Sequence, residues 1–188
     1  ANQFSCLAGV SFQTMNDNMS SLQLNAVAGI PDIQPGDDLN TILGDTISAS
    51  DLTLVDGDVL VVSQKIVSKA QGRYVDLSDV TPSAEAQQLA LQTEKDPRLV
   101  EVVLSQSRAV LRSRPGLIIV EHKLGFVMAN AGLDQSNING GVVGERVLLL
   151  PEDPDGSATQ LRDALQARFG VNIAVIICDS VGRAWRNG

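Results

Sequence analysis

The sequence predicts an α+β fold, in which mixed or antiparallel sheets carry flanking helices. Apolar runs typical of strands occur near both ends of the chain, whereas the helical patterns fall mostly in its middle. Strands and helices therefore do not alternate strictly, as they would in a doubly wound parallel sheet. At 188 residues, of which 44% are hydrophobic and 19% charged, the chain is long and apolar enough to bury a core.

The first third of the chain predicts strands around one short helix. Residues 1–21 show no clear pattern and are predicted to form a flexible N-terminal extension, with Met19 as a candidate natural start. Alternating polarity predicts a strand over 22–28, and Asp37 or Asp38 is expected to cap a helix over 39–47. The continuous apolar run at 59–62 predicts a strand buried on both faces.

The middle of the chain predicts two helices and a small antiparallel sheet. A strand over 74–77 precedes a helix that begins near Thr81, and Asp96-Pro97 separates it from a second, amphipathic helix. Strands are predicted over 109–112, 117–121 and 125–129, and the last two are expected to form a hairpin. His122 is the only histidine, so a catalytic triad has little support, and we interpret it as a surface or hairpin residue.

The last third predicts a strand, a helix and a final strand. The first strand covers 147–150 and the second covers 173–178. Ser157 with Gln160 has the pattern of a capping box, while Asp153 in the preceding turn is also expected to cap the helix. Gly170 is expected to end that helix.

Composition excludes several classes of partner. The formal net charge of −8 argues against nucleic acid and against an anionic membrane surface. No apolar stretch approaches the ~20 residues of a membrane-spanning helix. The two cysteines are too few for a disulfide framework, and Cys178 is predicted to be a buried thiol. We therefore expect a cytoplasmic protein, in which a local basic pocket or a divalent cation can still hold a small anion.

The sequence contains none of the common nucleotide or metal signatures. It lacks a Walker-type phosphate loop, a Gly-x-Gly-x-x-Gly fingerprint, His-Glu-x-x-His and Cys-x-x-Cys. Lys65 and Lys69 lie four residues apart after the apolar run at 59–62. On a helix they share one face, which is typical either of a solvated basic surface or of a phosphate cradle.

Two polar clusters each follow an apolar run. Residues 130–137 include Asp134, which suits either an Asx-type turn or a hard-cation ligand. Residues 179–188 begin with Asp179-Ser180, a pair that suits either a helix cap or Mg²⁺ beside phosphates. Arg183 and Arg186 in the same cluster are candidates for stabilising phosphoryl oxygens.

Several segments in this order and spacing resemble one family. They are Gly29-Ile30-Pro31 with Gly36-Asp37-Asp38-Leu39, Asp56-Gly57-Asp58 with 65–72, Asp96-Pro97-Arg98, 130–137, 148–157 and 179–188. Together they resemble the coenzyme F420-0:L-glutamate ligase family, also called F420 γ-glutamyl ligases, over residues 22–188. The resemblance implies the unusual α+β fold of that family and an intertwined homodimer.

The resemblance also implies an activity. Family members use GTP to attach L-glutamate to coenzyme F420-0 and then add γ-linked glutamates, through an acyl phosphate. They require Mg²⁺ or Mn²⁺, and K⁺ is commonly stimulatory. Two alternatives stay open: a non-catalytic GTP- and metal-binding fragment, and a paralogous ligase acting on another carboxylate acceptor.

The resemblance assigns site residues by position. The residues that match the two GTP-binding segments are Gly29, Ile30, Pro31 and Asp32, then Gln64, Lys65 and Lys69. Asp134 and Asp179 match ligands of one metal and are the expected catalytic carboxylates, while Ser180 matches a ligand of a second metal. Asn137 matches a nucleotide contact. Family members continue past the position of Gly188, so the domain over 22–188 is expected to lack a C-terminal segment that supplies further GTP and metal contacts.

Overall fold

A computed structural model describes residues 7–15, 19–135 and 145–179, with side chains from residue 22 onward. The described residues divide into two compact units, one formed by residues up to Arg73 together with residues 151–179, and one formed by residues 74–135 and 145–150. The described helices and strands mix parallel and antiparallel pairing, in agreement with the predicted mixture of α and β structure. None of the described helices is both long and apolar enough to cross a bilayer.

The first unit is built on a four-stranded sheet. Its elements are β1 (Leu7–Met15), β2 (Met19–Ala26), α1 (Leu39–Ala49), β3 (Val59–Ser63), α2 (Gln64–Ala70), α5 (Pro154–Phe169) and β9 (Ala174–Cys178). Strand β1 is antiparallel to both β2 and β3, whereas β3 and β9 are parallel. Buried aliphatic side chains of α1 and α5, among them Leu43 and Leu165, share one apolar cluster with Leu60 and Val62 of β3.

Two predictions for this sheet need correction. Only Leu60 and Val62 of β3 are buried, because alternate residues of the strand point to opposite faces and Val59 and Val61 stay half-exposed. Cys178 is exposed rather than buried, since it lies at the last position of β9.

The predicted N-terminal extension contains regular structure. Strand β1 lies wholly within residues 1–21, and the predicted boundary at residue 22 falls inside β2. The flexibility of the extension stays a prediction.

The long helices of the first unit begin at aspartate caps. Asp38 accepts hydrogen bonds from the Asn40 N–H at 3.0 Å and from the Thr41 hydroxyl at 2.6 Å, as predicted for α1. The Thr41 hydroxyl is the main reason that the pKa of Asp38 lies below its ordinary value. The predicted capping box is wrong, because α5 begins at Pro154 and Asp153 accepts from the Gly156 N–H at 2.9 Å. Ser157 and Gln160 therefore lie within the helix, which ends at Gly170 as predicted.

The second unit combines two helices with two small antiparallel sheets. Its elements are β4 (Tyr74–Asp76), α3 (Ala84–Thr93), α4 (Pro97–Ser105), β5 (Ser107–Arg114), β6 (Leu117–His122), β7 (Val127–Ala129) and β8 (Arg146–Leu148). Strands β5, β6 and β7 are adjacent in that order, which confirms the predicted hairpin of β6 and β7, and β4 pairs with β8. His122 ends β6, but it is buried rather than on the surface, and its Nδ1 accepts from the Leu124 N–H at 2.9 Å.

Candidate functional site

The two predicted GTP-binding segments meet through an ion pair. Gly29–Asp32 lies in the loop between β2 and α1, where Gly29 adopts a φ of 88° that favours glycine. Lys69 of α2 donates from Nζ to Asp32 Oδ1 at 2.8 Å, although the two residues are 37 positions apart. Lys69 is 5% exposed, so it does not belong to a solvated basic face.

Backbone hydrogen bonds fix the rest of this loop to α2. The Gly36 N–H donates to the Ala70 carbonyl at 2.8 Å, and the Gln34 N–H donates to Asp37 Oδ2 at 2.7 Å. The Gln34 side-chain amide also donates to Asp32 Oδ2 at 3.0 Å. The loop therefore has a defined path past the C-terminal end of α2.

Helix α2 starts directly where β3 ends. The Ser63 hydroxyl caps the helix by accepting from the Lys65 N–H at 3.3 Å. Gln64 is buried, and its Oε1 accepts from the Ser68 hydroxyl at 2.9 Å. Lys65 is half-buried, so the two lysines of α2 share a helix but differ in environment.

Asp179 lies at the same edge of the sheet as the start of α2. It follows β9, which runs parallel to β3 with Cys178 opposite Ser63. The carboxyl ends of adjacent parallel strands are the usual place for ligand-binding residues in sheets of this kind. Asp179 is exposed there.

Asp134 belongs to the second unit and is held by its backbone. Its N–H donates to the Leu148 carbonyl at 3.0 Å, and the Leu148 N–H donates to the Asp134 carbonyl at 2.9 Å. Leu148 is the last residue of β8. The chain reaches Asp134 through a turn in which Asn130, Ala131 and Gly132 all have positive φ.

An ion pair joins the two strands of the small sheet that contains β8. Arg146 of β8 donates to Asp76 of β4 at 2.7 Å, and its guanidinium lies 5.4 Å from the centre of the Tyr74 ring. The hydrogen bond from Arg146 is the main reason that the pKa of Asp76 lies below its ordinary value.

Two open cavities are found among the described residues of the first unit. The larger, of about 370 Å³, lies between α5 and residues 172–175 and includes Arg162 in its lining. The smaller, of about 180 Å³, is lined by polar residues that include Asp37 and Ser157 and by apolar residues that include Val67 and Ala70 of α2. Neither is lined by any residue that the sequence assigned to the site.

A family model described as F420-0:Gamma-glutamyl ligase matches residues 29–188. The chain belongs to this family. Its relatives include the proteins named Coenzyme F420:L-glutamate ligase of Methanothermobacter thermautotrophicus, 40% identical over 167 residues, and of Methanopyrus kandleri, 43% identical over 156 residues. These matches cover 89% and 83% of this chain, but 65% and 58% of the two relatives. The chain thus spans less than two thirds of the length of the ligases that it matches.

The range matched by the F420 ligase family model includes every residue that the resemblance assigned to the site. Gly29 is the first matched residue, and Ser180 lies well inside the matched range. Asn137 and Ser180, with Arg183 and Arg186, lie outside the described residues. Within the described ranges, no three His, Cys, Asp or Glu side chains form a group that could hold a metal ion.

The donor chemistry of the assigned metal ligands in this F420 ligase homologue suits a hard cation. Asp134 and Asp179 offer carboxylate oxygens, and the assignment adds the hydroxyl of Ser180. Mg²⁺ and Mn²⁺ prefer such oxygen ligands, whereas structural zinc sites use thiolate and imidazole. The residues therefore fit the metal that the family implies.

The resemblance assigned both Asp32 and Lys69 to the site of this F420 ligase homologue, but it did not predict that the two form an ion pair. No local pattern links Asp32 to Lys69, because the contact depends on how β3 and α2 return to the loop after β2. The left-handed turn at Asn130–Gly132 was also missed. Its signals in the sequence are Asn130 and Gly132, residue types that favour positive φ, whereas Ala131 rarely takes such a backbone.

Proposed function

We propose that this chain catalyses GTP-dependent formation of an amide bond between L-glutamate and coenzyme F420-0, followed by addition of γ-linked glutamates. The observation that carries the proposal is the family match over residues 29–188. The names of the relatives, Coenzyme F420:L-glutamate ligase, support the same reaction.

GTP binds to the loop Gly29–Asp32 and to Gln64, Lys65 and Lys69. Support comes from the 2.8 Å ion pair of Asp32 with Lys69, which holds the loop against α2. Lys65, half-buried at the start of the same helix, supplies a second ammonium group to the phosphates. Asn137 contributes a further nucleotide contact.

Asp134 and Asp179 would hold one divalent cation, Mg²⁺ or Mn²⁺, Ser180 would be a ligand of a second, and K⁺ stimulates the enzyme. When bound, the divalent cation neutralises charge that develops on the transferred phosphoryl group. The two carboxylates would bind the cation that offsets the negative charge of the phosphates. The position of Asp179 at the carboxyl end of β9, beside the start of α2, supports its part in this arrangement.

The reaction joins two substrates and breaks the bond between the β- and γ-phosphates of GTP. The carboxylate of F420-0 attacks the γ-phosphorus, and GDP leaves. The amine of L-glutamate then attacks the acyl carbon, phosphate leaves, and the nitrogen loses a proton to give the amide. The protein residues bind and orient these groups, and the lysines of α2 hold phosphate oxygens.

The active form is a homodimer. Strand β5 supports this, since it pairs only with β6 among the described strands and is exposed along nearly its whole length. Leu111, at 53% exposure, and Val110, at 36%, are apolar side chains on this strand. An edge strand with exposed apolar residues is a common surface for association.

Release of phosphate from GTP tests the proposal. We expect release that requires both F420-0 and L-glutamate and that is lost in Asp134→Ala and Asp179→Ala. Asp163→Asn is the matched control, because Asp163 is an exposed residue of α5 that forms an ion pair with its neighbour Arg162. GTP binding without phosphate release would instead support a non-catalytic binding module, and release with a different acceptor alone would support a paralogous ligase.

A further inference from the structure

The turn before Asp134 is strained at consecutive positions. Asn130, Ala131 and Gly132 have φ values of 50°, 52° and 68°. Left-handed backbone is costly for residues with a Cβ, and more so for alanine than for asparagine. Among the described residues, the only other non-glycine with positive φ is Glu94, at the end of α3.

A second unfavourable feature lies in the same turn. Asn130 Oδ1 is buried and accepts no hydrogen bond within the described part of the chain. Buried acceptors in native proteins are nearly always satisfied, and exceptions concentrate where structure serves something other than stability. Strain and an unsatisfied oxygen therefore coincide four residues before Asp134.

Packing holds the turn in this conformation. Ala131 is 1% exposed and belongs to an apolar cluster with Ile118 and Val120 of β6. A Cβ at Gly132 would lie 2.8 Å from Met128 Cε and 3.1 Å from Leu150 Cδ1. Position 132 therefore requires glycine for two reasons, its positive φ and the close approach of these side chains.

The turn determines where Asp134 lies. It begins directly after β7, where Ala129 pairs with Ile119. The Leu133 N–H donates to the Asn130 carbonyl at 3.1 Å, and the next residue, Asp134, forms its two backbone hydrogen bonds with Leu148. The path from β7 to Asp134, which pairs with the last residue of β8, thus depends on three left-handed residues.

We infer that the left-handed turn Asn130–Gly132 is the positioning element for Asp134, and that Gly132 and Asn130 are positioning residues of the site. The inference rests on the proposed function, in which Asp134 is a ligand of the divalent cation. In this role the strained backbone fixes the direction from which the Asp134 carboxylate is presented.

Two matched glycine substitutions test the inference. Gly132→Ala places a Cβ in the left-handed turn, whereas Gly116→Ala places one at φ 78° in the β5–β6 hairpin, where no atom lies within 4 Å. Both strain the backbone of the same unit, but only the first precedes Asp134. The measurements are hydrogen exchange at the Asp134 and Leu148 amides and Mn²⁺ affinity by calorimetry.

We expect Gly132→Ala to speed exchange at both amides and to weaken Mn²⁺ binding by about 10-fold, a typical effect of losing the support of a metal ligand. Gly116→Ala should leave both quantities unchanged at matched overall stability.

Asn130→Gly adds no Cβ clash and keeps positive φ accessible, so it folds even where Gly132→Ala does not. Asn130→Gly should speed hydrogen exchange at the Asp134 and Leu148 amides and weaken Mn²⁺ binding, without lowering Tm.

The outcomes separate the inference from the function on which it rests. Equal effects of Gly132→Ala and Gly116→Ala, or normal exchange and Mn²⁺ affinity in Asn130→Gly, would overturn the positioning role. Wild-type protein that binds no Mn²⁺ would contradict the metal site of the proposed function. Hydrogen exchange at Asp134 and Leu148 would still decide the role of the turn in that case.

Discussion

The contact between Asp32 and Lys69 shows how single residues build the candidate site. A lysine that is 5% exposed must have a partner, because an isolated buried ammonium is strongly disfavoured. Asp32 supplies the opposite charge at 2.8 Å, and its own side chain is 39% exposed. The ion pair therefore links the buried ammonium group of Lys69 to the exposed loop that we propose binds GTP.

Removing either charge should have unequal effects on stability. Asp32→Asn leaves the buried ammonium without its counterion, so we expect a loss of about 1–3 kcal/mol in the free energy of unfolding. Lys69→Met keeps an aliphatic chain in the buried position and leaves Asp32 in contact with water, so its loss should be smaller. Urea denaturation measures both.

The same two variants should both weaken GTP binding in a calorimetric titration. Asp163→Asn serves as the control for removal of an acidic side chain. Unchanged stability and unchanged GTP affinity in Asp32→Asn would contradict the role of this pair.

At the scale of elements, local sequence determines most helix starts. Asp38, Ser83, Asp96 and Asp153 each accept a hydrogen bond from a backbone N–H in the first turn of a helix. The cap at Asp38 was predicted, because a cap residue precedes a clear apolar pattern, whereas Asp96-Pro97 was predicted only to separate two helices and in fact caps the second. The capping box at Ser157 was wrong, because Pro154 at the first turn already fits a helix start and Asp153 precedes it.

Long-range contacts explain what the sequence patterns missed. The run at 59–62 is continuously apolar, yet only alternate residues of β3 face the main cluster. Residues 1–21 lack a clear pattern, yet β1 pairs on both sides with β2 and β3. Burial on one face of a sheet and strand pairing depend on partners distant in sequence, which periodicity cannot identify.

The start of α4 should make stability depend on pH. The hydrogen bond from Arg98, at 2.6 Å, is the main reason that the pKa of Asp96 lies below its ordinary value. A lowered carboxyl pKa in the folded state stabilises above the unfolded pKa, and this contribution is lost as the pH falls below about 4. Asp96→Asn keeps the cap but removes the charge.

Thermal unfolding of wild type and Asp96→Asn across pH tests this expectation. The variant should have the lower Tm at neutral pH, and the difference should shrink as the pH falls below about 4. A difference that stays constant through acid pH would show that the charge of Asp96 contributes nothing.

Strand β5 should form the surface of association. Leu111→Asp places a charge on this exposed strand, so we expect a dimer of the wild-type chain to give way to a monomer. Leu91→Asp is the matched control, because Leu91 of α3 is 83% exposed and lies on a helix. Light scattering after size exclusion measures the mass, and a monomeric wild type or a dimeric Leu111→Asp would contradict the assignment.

At the scale of the whole molecule, the residues that the resemblance assigned to binding roles are divided between the two compact units. The GTP-binding segments and Asp179 belong to the first unit, whereas Asp134 belongs to the second. The motifs were enough to predict the family, whose model matches residues 29–188. The mixture of helices with parallel and antiparallel strands was also predictable, while the division into two units was not.

The most direct test of the ligase assignment is the mass of coenzyme F420-0 after incubation with the chain, L-glutamate, GTP and Mg²⁺ or Mn²⁺. We expect the mass to increase by one or more glutamyl residues, with no increase when GTP is omitted or when Asp134→Ala or Asp179→Ala replaces the wild type. Asp163→Asn should form the same products as the wild type. F420-0 of unchanged mass, from wild-type protein that is folded and binds GTP, would contradict the proposed activity of this chain.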